Sequence, residues 1–343
     1  MNVAAFTRAL VDIESITGNE ERVGVFLHAE LSRLGWEVKK IPVEGKRVNI
    51  YAFAPEQPRP AVVFSTHMDT VPPFIPSSED GACVYGRGSC DAKGIIAAQI
   101  AAAERLRFEG VKVGLLFLVG EERDSQGARA ANQQAPGSRF LINGEPTENR
   151  MAVASKGSLR VELVAEGKMA HSAYPELGES AIDKLLEALQ RLRAMQLPVD
   201  PEAGPSTLNI GLIEGGRAPN VIPDHAKAEL LYRLVGPANA IRADILKAVD
   251  GLAQANFGLE IPFVRLRTID GLPSMVAAFT TDIPALTTWG EPLLIGPGSI
   301  HVAHTAGEYV EKKQLHEAAE LYCNLAKRLL GTQSTKYDLR STK

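Results

Sequence analysis

Two rhythms of apolar residues alternate along the early part of the chain. Val3, Phe6, Leu10 and Ile13 recur at helical spacing, so residues 2–14 are predicted as an amphipathic helix, and a second helix fits 20–34, stopped by Gly35. Short runs that are apolar at nearly every position follow, at 48–53, 61–64, 113–119, 140–142 and, much later, 293–295. Strands apolar on both faces suit the interior of a parallel sheet covered by helices. Residues 92–108, rich in Ala and Ile, supply one such helix. The alternation predicts an α/β fold with a largely parallel sheet.

The middle of the chain has another rhythm. Leu159, Val161 and Leu163 alternate with Arg160 and Glu162; residues 181–195 are helical in spacing; 208–213 and 226–235 alternate again; 240–256 reads as helix and 259–266 as strand. Strand–helix–strand–strand–helix–strand is the ferredoxin-like order. Its half-polar strands predict a sheet with one face open to solvent or a partner. Residues 157–267 are therefore expected to form an inserted α+β domain, and residues 1–156 and 268–343 the first domain, closed by a helix at 314–330. The polar tail after Gly331 is expected to fray.

Composition narrows the function classes. The chain has 343 residues, 45% hydrophobic and 23% charged, with a net charge of -4, an ordinary globular balance without the basic excess of nucleic-acid binders. Three cysteines, Cys83, Cys90 and Cys323, are too few for a disulfide framework and fit a reducing compartment. No basic-then-apolar leader and no run near the ~20 apolar residues of a membrane span is present. The expectation is a cytoplasmic protein with no nucleic-acid or membrane partner.

The chemistry lies where the apolar runs stop. The run at 61–64 leads into His67 and Asp69, that at 113–119 into Glu121 and Glu122, that at 140–142 into Glu145, and that at 293–295 into His301 and His304. Ligand sites in open α/β sheets lie beyond the carboxyl ends of the strands. Asp91 joins from the Gly-rich stretch that opens the 92–108 helix. So many carboxylates repel one another unless cations compensate, and mixed His and carboxylate donors suit zinc or a similar divalent metal. Each piece alone has a plainer reading: a hydrogen-bonded pair at His67 and Asp69, a solvated loop at Glu121–Glu122, a turn at Glu145–Pro146.

Taken in order, these residues resemble the M20 metallopeptidases, the group of acetylornithine deacetylase and succinyl-diaminopimelate desuccinylase. The resemblance is carried by Ser-Thr-His-Met-Asp-Thr-Val-Pro at 65–72, Gly-Arg-Gly-Ser-Cys-Asp-Ala-Lys-Gly at 86–94, Gly-Glu-Glu at 120–122 and Gly-Glu-Pro-Thr at 144–147. It continues through Gly-Lys-Met-Ala-His-Ser-Ala-Tyr-Pro at 167–175, Asn-Val-Ile-Pro at 220–223, and Gly-Pro-Gly with Ala-His-Thr within 296–305. It implies a zinc-peptidase-like catalytic domain with an inserted dimerisation and lid domain, hinged near 155–157 and 267–271. It implies two divalent ions, zinc or alternatively cobalt. Asp91 would bridge them, His67 and Glu145 would complete one site, and Glu122 and His304 the other. Glu121 would be the general base, and Asp69 would hold the His67 imidazole. His171 would reach the partner subunit's site in a homodimer and stabilise the oxyanion, although a turn histidine before Tyr174–Pro175 is its plainer reading. Asn220, Arg233 and, more weakly, Arg217 would contact the substrate carboxylate; a structural ion pair is the alternative for Arg233.

The implied reaction is hydrolysis of the amide of an N-acyl amino acid, of acetylornithine or acetyl-lysine type. Succinyl-diaminopimelate desuccinylase and dipeptidase or aminopeptidase activity are the rivals, so the substrate is an N-acyl amino acid or a dipeptide. A non-catalytic binding protein would have lost a ligand or Glu121, and neither is lost. Cys90 is expected to pack rather than ligate, Cys83 to be buried, and His28, His225 and His316 to lie on the surface.

Overall fold

The computed structural model describes residues 1–331, and the expected fraying of the tail lies outside them. The chain divides into two compact units. One comprises Met1–Ala152, Leu266–Met275 and the chain from Thr281 onward; the other comprises Val153–Arg265 and Val276–Thr280.

The first unit is built on a six-stranded sheet, ordered Glu37–Glu44, Arg47–Phe53, Gly114–Leu118, Val62–His67, Phe140–Asn143, Glu291–Leu294. The last four run parallel, so their carboxyl ends share one edge. The run at 48–53, read as one of the buried parallel-type strands, is buried but antiparallel to both neighbours. Its partner Glu37–Glu44 escaped the pattern because only Ile41 is buried in it. Strand residues alternate between two cores. Phe64, Leu115, Phe117 and Ile142 face the helices Val3–Val11, Glu21–Arg33, Lys93–Phe108 and Lys312–Leu330. Val63, Leu116, Leu118 and Leu141 face the short helix Gln126–Asn132 and Trp289. Burying each such side chain contributes about 1.5–3 kcal/mol, so the sheet that carries the site is among the least deformable parts of the unit. Among the described residues, no helix is long and apolar enough to cross a membrane.

The second unit has a four-stranded antiparallel sheet, ordered Thr207–Gly215, His225–Leu234, Gly157–Glu166, Gln254–Ile261. This is the ferredoxin-like arrangement. Helices Ala181–Ala194 and Ala238–Val249 cover one face through Leu159, Leu163, Leu185, Leu189, Tyr232 and Ile245. Arg160, Glu162 and Glu229 stand exposed between the buried positions. The helix read over 240–256 ends at Val249, and residues from Gln254 are already strand. Gly251, at φ +74°, makes the turn between them, and the exposed/half-buried alternation of Gln254–Ile261 is that of a sheet.

Candidate metal centre

The parallel strands deliver their polar residues to one edge. His67 is the last residue of Val62–His67 and is 1% exposed. Its Nδ1 lies 3.0 Å from the Asp69 carbonyl oxygen and 3.5 Å from Asp69 Oδ1. A proton on Nδ1 donates to Asp69 and leaves Nε2 as the free lone pair. Nε2 points at Asp91 Oδ1, 2.8 Å away. The other oxygen of the same carboxylate, Oδ2, lies 3.4 Å from His304 Nε2. His304 Nε2 is also 3.0 Å from Glu122 Oε1. One buried carboxylate therefore stands between two imidazoles, one at each oxygen. His67, Asp91 and Glu122 each offer a ligand atom within 4.8 Å of the others.

Asp69 does more than hold His67. It is fully buried, and its carboxylate accepts the Thr17 hydroxyl (2.8 Å) and the backbone N–H groups of Glu121 (3.2 Å) and Glu122 (3.3 Å). The turn bearing the two glutamates is thus fixed by the residue that orients the histidine. Burial opposes the charge on Asp69, but His67, Thr17 and the Glu121 N–H outweigh it and hold its carboxyl below the usual range. Glu145 follows the strand Phe140–Asn143; it is 3% exposed and its Oε1 has no hydrogen-bond partner.

Burial and crowding shift the protonation of this cluster. Burial, then repulsion from Glu145, raises Glu121 well above the ordinary carboxylate range. Burial likewise raises Glu145 well above it, against the pull of His67. Burial and Asp91 raise Glu122. Hydrogen bonds to Asp91 and Glu122 lift His304 to about 10. Burial opposes charge on His67 and is outweighed by Asp69 and Asp91, so its pKa also rises well above the ordinary value. Asp91 is held low in spite of its burial, by His304 and His67. A set of His and carboxylate donors, with one buried oxygen unsatisfied and several carboxyls discharged only by protonation, fits divalent cations.

The structure brings together His67, Asp69, Asp91, Glu121, Glu122, Glu145 and His304, all in the first unit. His304, not His301, reaches the carboxylates. The remaining expected residues belong to the second unit. His171 is exposed on a short ribbon, Ala170–His171 paired with Val221–Ile222, and Asn220 at its edge accepts the Ser172 N–H through its carbonyl (3.1 Å). The Ala173 N–H donates to His171 Nδ1 (3.1 Å), so the neutral ring carries its proton on Nε2. Arg217 is engaged twice by Asp224, at 3.0 and 3.1 Å, which occupies the fork expected for substrate. Arg233 is half-buried near the end of its strand, in register with Ser158 and Thr207. Cys90 is buried, as expected of a packing residue, whereas Cys83 and His28 are half-buried rather than buried and superficial respectively; His225 and His316 are exposed.

Two residues escaped the sequence reading. Asp282 is 1% exposed, and burial, opposed only in part by the Ser125 side chain, pushes its pKa up to about 7. Glu308 is as deeply buried and paired with Arg87. A lone acid in a polar stretch gave no signal for Asp282. Glu308 could have been suspected from its position four residues after His304.

Residues 63–328 match the sequence profile described as peptidase family M20/M25/M40. A peptidase M20 domain-containing protein of Schizosaccharomyces pombe is 39% identical over 340 residues, covering 94% of this chain and 83% of that one. A probable carboxypeptidase of Neosartorya fischeri is 38% identical, covering 96% and 87%. Among solved structures, the aminopeptidase PepT from Bacillus cereus superposes with a TM-score of 0.80 at 21% identity, covering 96% of this chain and 98% of that one. The M20 metallo-carboxypeptidase Sso-CP2 from Sulfolobus solfataricus gives 0.76 at 16%, covering 95% and 99%.

Proposed function

The chain belongs to peptidase family M20/M25/M40, whose members hydrolyse amide bonds, and from that premise we propose that it cleaves the amide of an N-acyl amino acid, of acetylornithine or acetyl-lysine type. The observation that carries the reaction is the Asp91 carboxylate facing His67 with one oxygen and His304 with the other. In this reading two divalent ions, zinc or alternatively cobalt, would be held here, with Asp91 shared between them, His67 and Glu145 completing one site, and Glu122 and His304 the other.

Two bound ions would supply an acidified water and a polarised carbonyl. Glu121 accepts the proton of the attacking water and delivers it to the leaving nitrogen; burial, which raises its pKa, supports that role. Asp69 keeps the His67 ring oriented and the Glu121–Glu122 turn in place. In the proposed homodimer, the Nε2–H of His171 donates to the oxyanion at the other subunit's site. The exposed edge strand Thr207–Gly215, with Leu212 and Ile213 each 54% exposed, supports pairing of two such units and the assignment of the inserted unit as a dimerisation and lid domain. Asn220 and Arg233 take the substrate carboxylate. Arg217 is a weaker candidate, given its Asp224 partner.

A second reading is carboxypeptidase or dipeptidase activity, favoured by the names of the fungal relatives. The two readings meet chemically. An α-N-acyl amino acid and a peptide's last residue present the same amide beside the same carboxylate, and differ in what lies on the acyl side. Desuccinylase activity differs from deacetylase activity in that same place. The decisive experiment is a panel of acetyl and succinyl amino acids, dipeptides and blocked dipeptides, assayed with added zinc or cobalt. Highest kcat/KM on acetylated ornithine or lysine supports the proposal. A preference of more than about tenfold for a dipeptide or blocked dipeptide replaces it with the second reading.

A further inference from the structure

Glu308 takes no part in the chemistry described so far, yet it collects an unusual set of donors. It is 1% exposed, and its Oε1 accepts the backbone N–H groups of Gly88 (2.9 Å), Cys90 (3.1 Å) and Asp91 (3.1 Å). Its Oε2 accepts from Arg87 Nη1, and its carbonyl accepts the Gly86 N–H at 3.0 Å. Five donors from residues 86–91 therefore end on one residue. The loop has no room to relax. Gly88 sits at φ +87°, and a Cβ there would lie 2.7 Å from Thr70 Cγ2 and 3.1 Å from Lys93 Cδ.

The other end of the linkage is His304. It lies one short turn before Glu308, in a left-handed conformation at φ +64°. A further contact joins the same two loops. Cys90 Sγ donates to the Ser299 carbonyl at 3.4 Å, and a Cβ on Gly298 would lie 2.5 Å from that sulfur. A single buried carboxylate thus fixes the backbone beneath Asp91 and anchors the segment that presents His304. The two groups so held, Asp91 Oδ2 and His304 Nε2, lie 3.4 Å apart.

We infer that Glu308 is a positioning residue that holds Asp91 against His304 and so sets the affinity of the site for the more weakly held of its two cations. The inference rests on Asp91 being the shared ligand. Groups that orient ligands from behind typically change metal affinity by about 10–100-fold when replaced. A residue of the fold alone would instead lower the stability of the metal-free protein and leave affinity unchanged.

The test uses metal-free wild type, Glu308→Gln and Glu308→Asp, each titrated with cobalt(II) against a chelating dye, with the visible spectrum recorded and thermal unfolding measured before metal is added. Gln keeps an acceptor and loses the charge that faces Arg87; Asp keeps the charge and loses reach. The expected result is a loss of about 10–100-fold in affinity for the weaker ion in Glu308→Gln, a smaller loss in Glu308→Asp, and altered cobalt absorption in both. Affinities within about twofold of wild type in either folded variant overturn the inference, as does failure of both to fold without metal. Binding of fewer than two ions by the wild type removes the shared-ligand reading first, and the inference falls with it.

Discussion

Replacing Asp282 by Asn is expected to stabilise the metal-free protein, and to do so more at pH 8 than at pH 5. The carboxyl is 1% exposed, its charge is eased only in part by Ser125, His67 and Arg129, and its pKa is pushed by burial from 3.8 to about 7. A folded-state pKa above the unfolded value means that the contribution is fully present below about 3.8 and is lost as pH rises through about 7. At about 1.4 kcal/mol per pH unit, ionisation of this carboxyl in the unfolded chain, while the buried group keeps its proton, removes at most about 4 kcal/mol by pH 8, of which about 2 kcal/mol is already gone at pH 5. Asn cannot ionise, so the advantage of Asp282→Asn should grow by about 2–3 kcal/mol between the two pH values. Removing the charge at residue 282 also eases ionisation of Glu121 and Glu145, which it raises, and so adds to the advantage in the same direction. The assay is guanidinium unfolding followed by tryptophan fluorescence. Trp36 and Trp289 both lie in the first unit, so the signal reports the unit that contains Asp282. An advantage equal at both pH values within about 0.5 kcal/mol, or a variant less stable than wild type at pH 8, refutes the reasoning. Zinc should shrink the effect. Asp282 lies close enough to Glu121 and Glu145 to raise both, and cations held there favour its charged form.

Glu121→Gln is expected to retain metal while kcat falls by ~10²–10⁴, the range for a lost proton-transfer group, and near-normal turnover at full metal content removes Glu121 as the base. His171→Ala and Glu121→Ala chains, each nearly inactive, should regain activity when mixed under conditions of subunit exchange. Demonstrated exchange without recovery rules out action across subunits.

The convergence of the candidate metal-site residues was legible because strand ends in a parallel sheet meet whatever lies between them in sequence. His67 and Glu145 announce themselves by following uninterrupted apolar runs, and His304 by following the last one after a Gly-rich stretch. The antiparallel hairpin at the sheet's edge was not legible. Glu37–Glu44 carries four charged residues and buries only Ile41, so periodicity gives no strand signal. The end of the second unit's second helix is obscured in the sequence for a related reason. Ala, Leu and Ile continue past Val249, and only Gly251 and the alternation after it mark the change. Asp282 was illegible in a deeper sense, because its significance lies in burial, which a local pattern does not encode. Glu308 is marked in the sequence only by its place four residues after His304; its donors, at residues 86–91, lie far away along the chain. Asn220 and His171 sit side by side on one ribbon, a proximity that only the pairing of Ala170–His171 with Val221–Ile222 creates.

The discontinuity of the first unit bears on how the protein is made. During synthesis, Phe140–Asn143 emerges as an open sheet edge, and its outer partner Glu291–Leu294 leaves the ribosome only about 7–30 s later at ordinary elongation rates. Through that interval the nascent chain carries an unpaired apolar strand beside a cluster of acids that still lacks His304 and Glu308. The intervening unit is nearly one continuous stretch, Val153–Arg265, and is free to fold while the first waits. The vulnerable species in the life of this protein is therefore a half-translated one, and a chaperone that binds exposed strand edges would meet it there before any cation does.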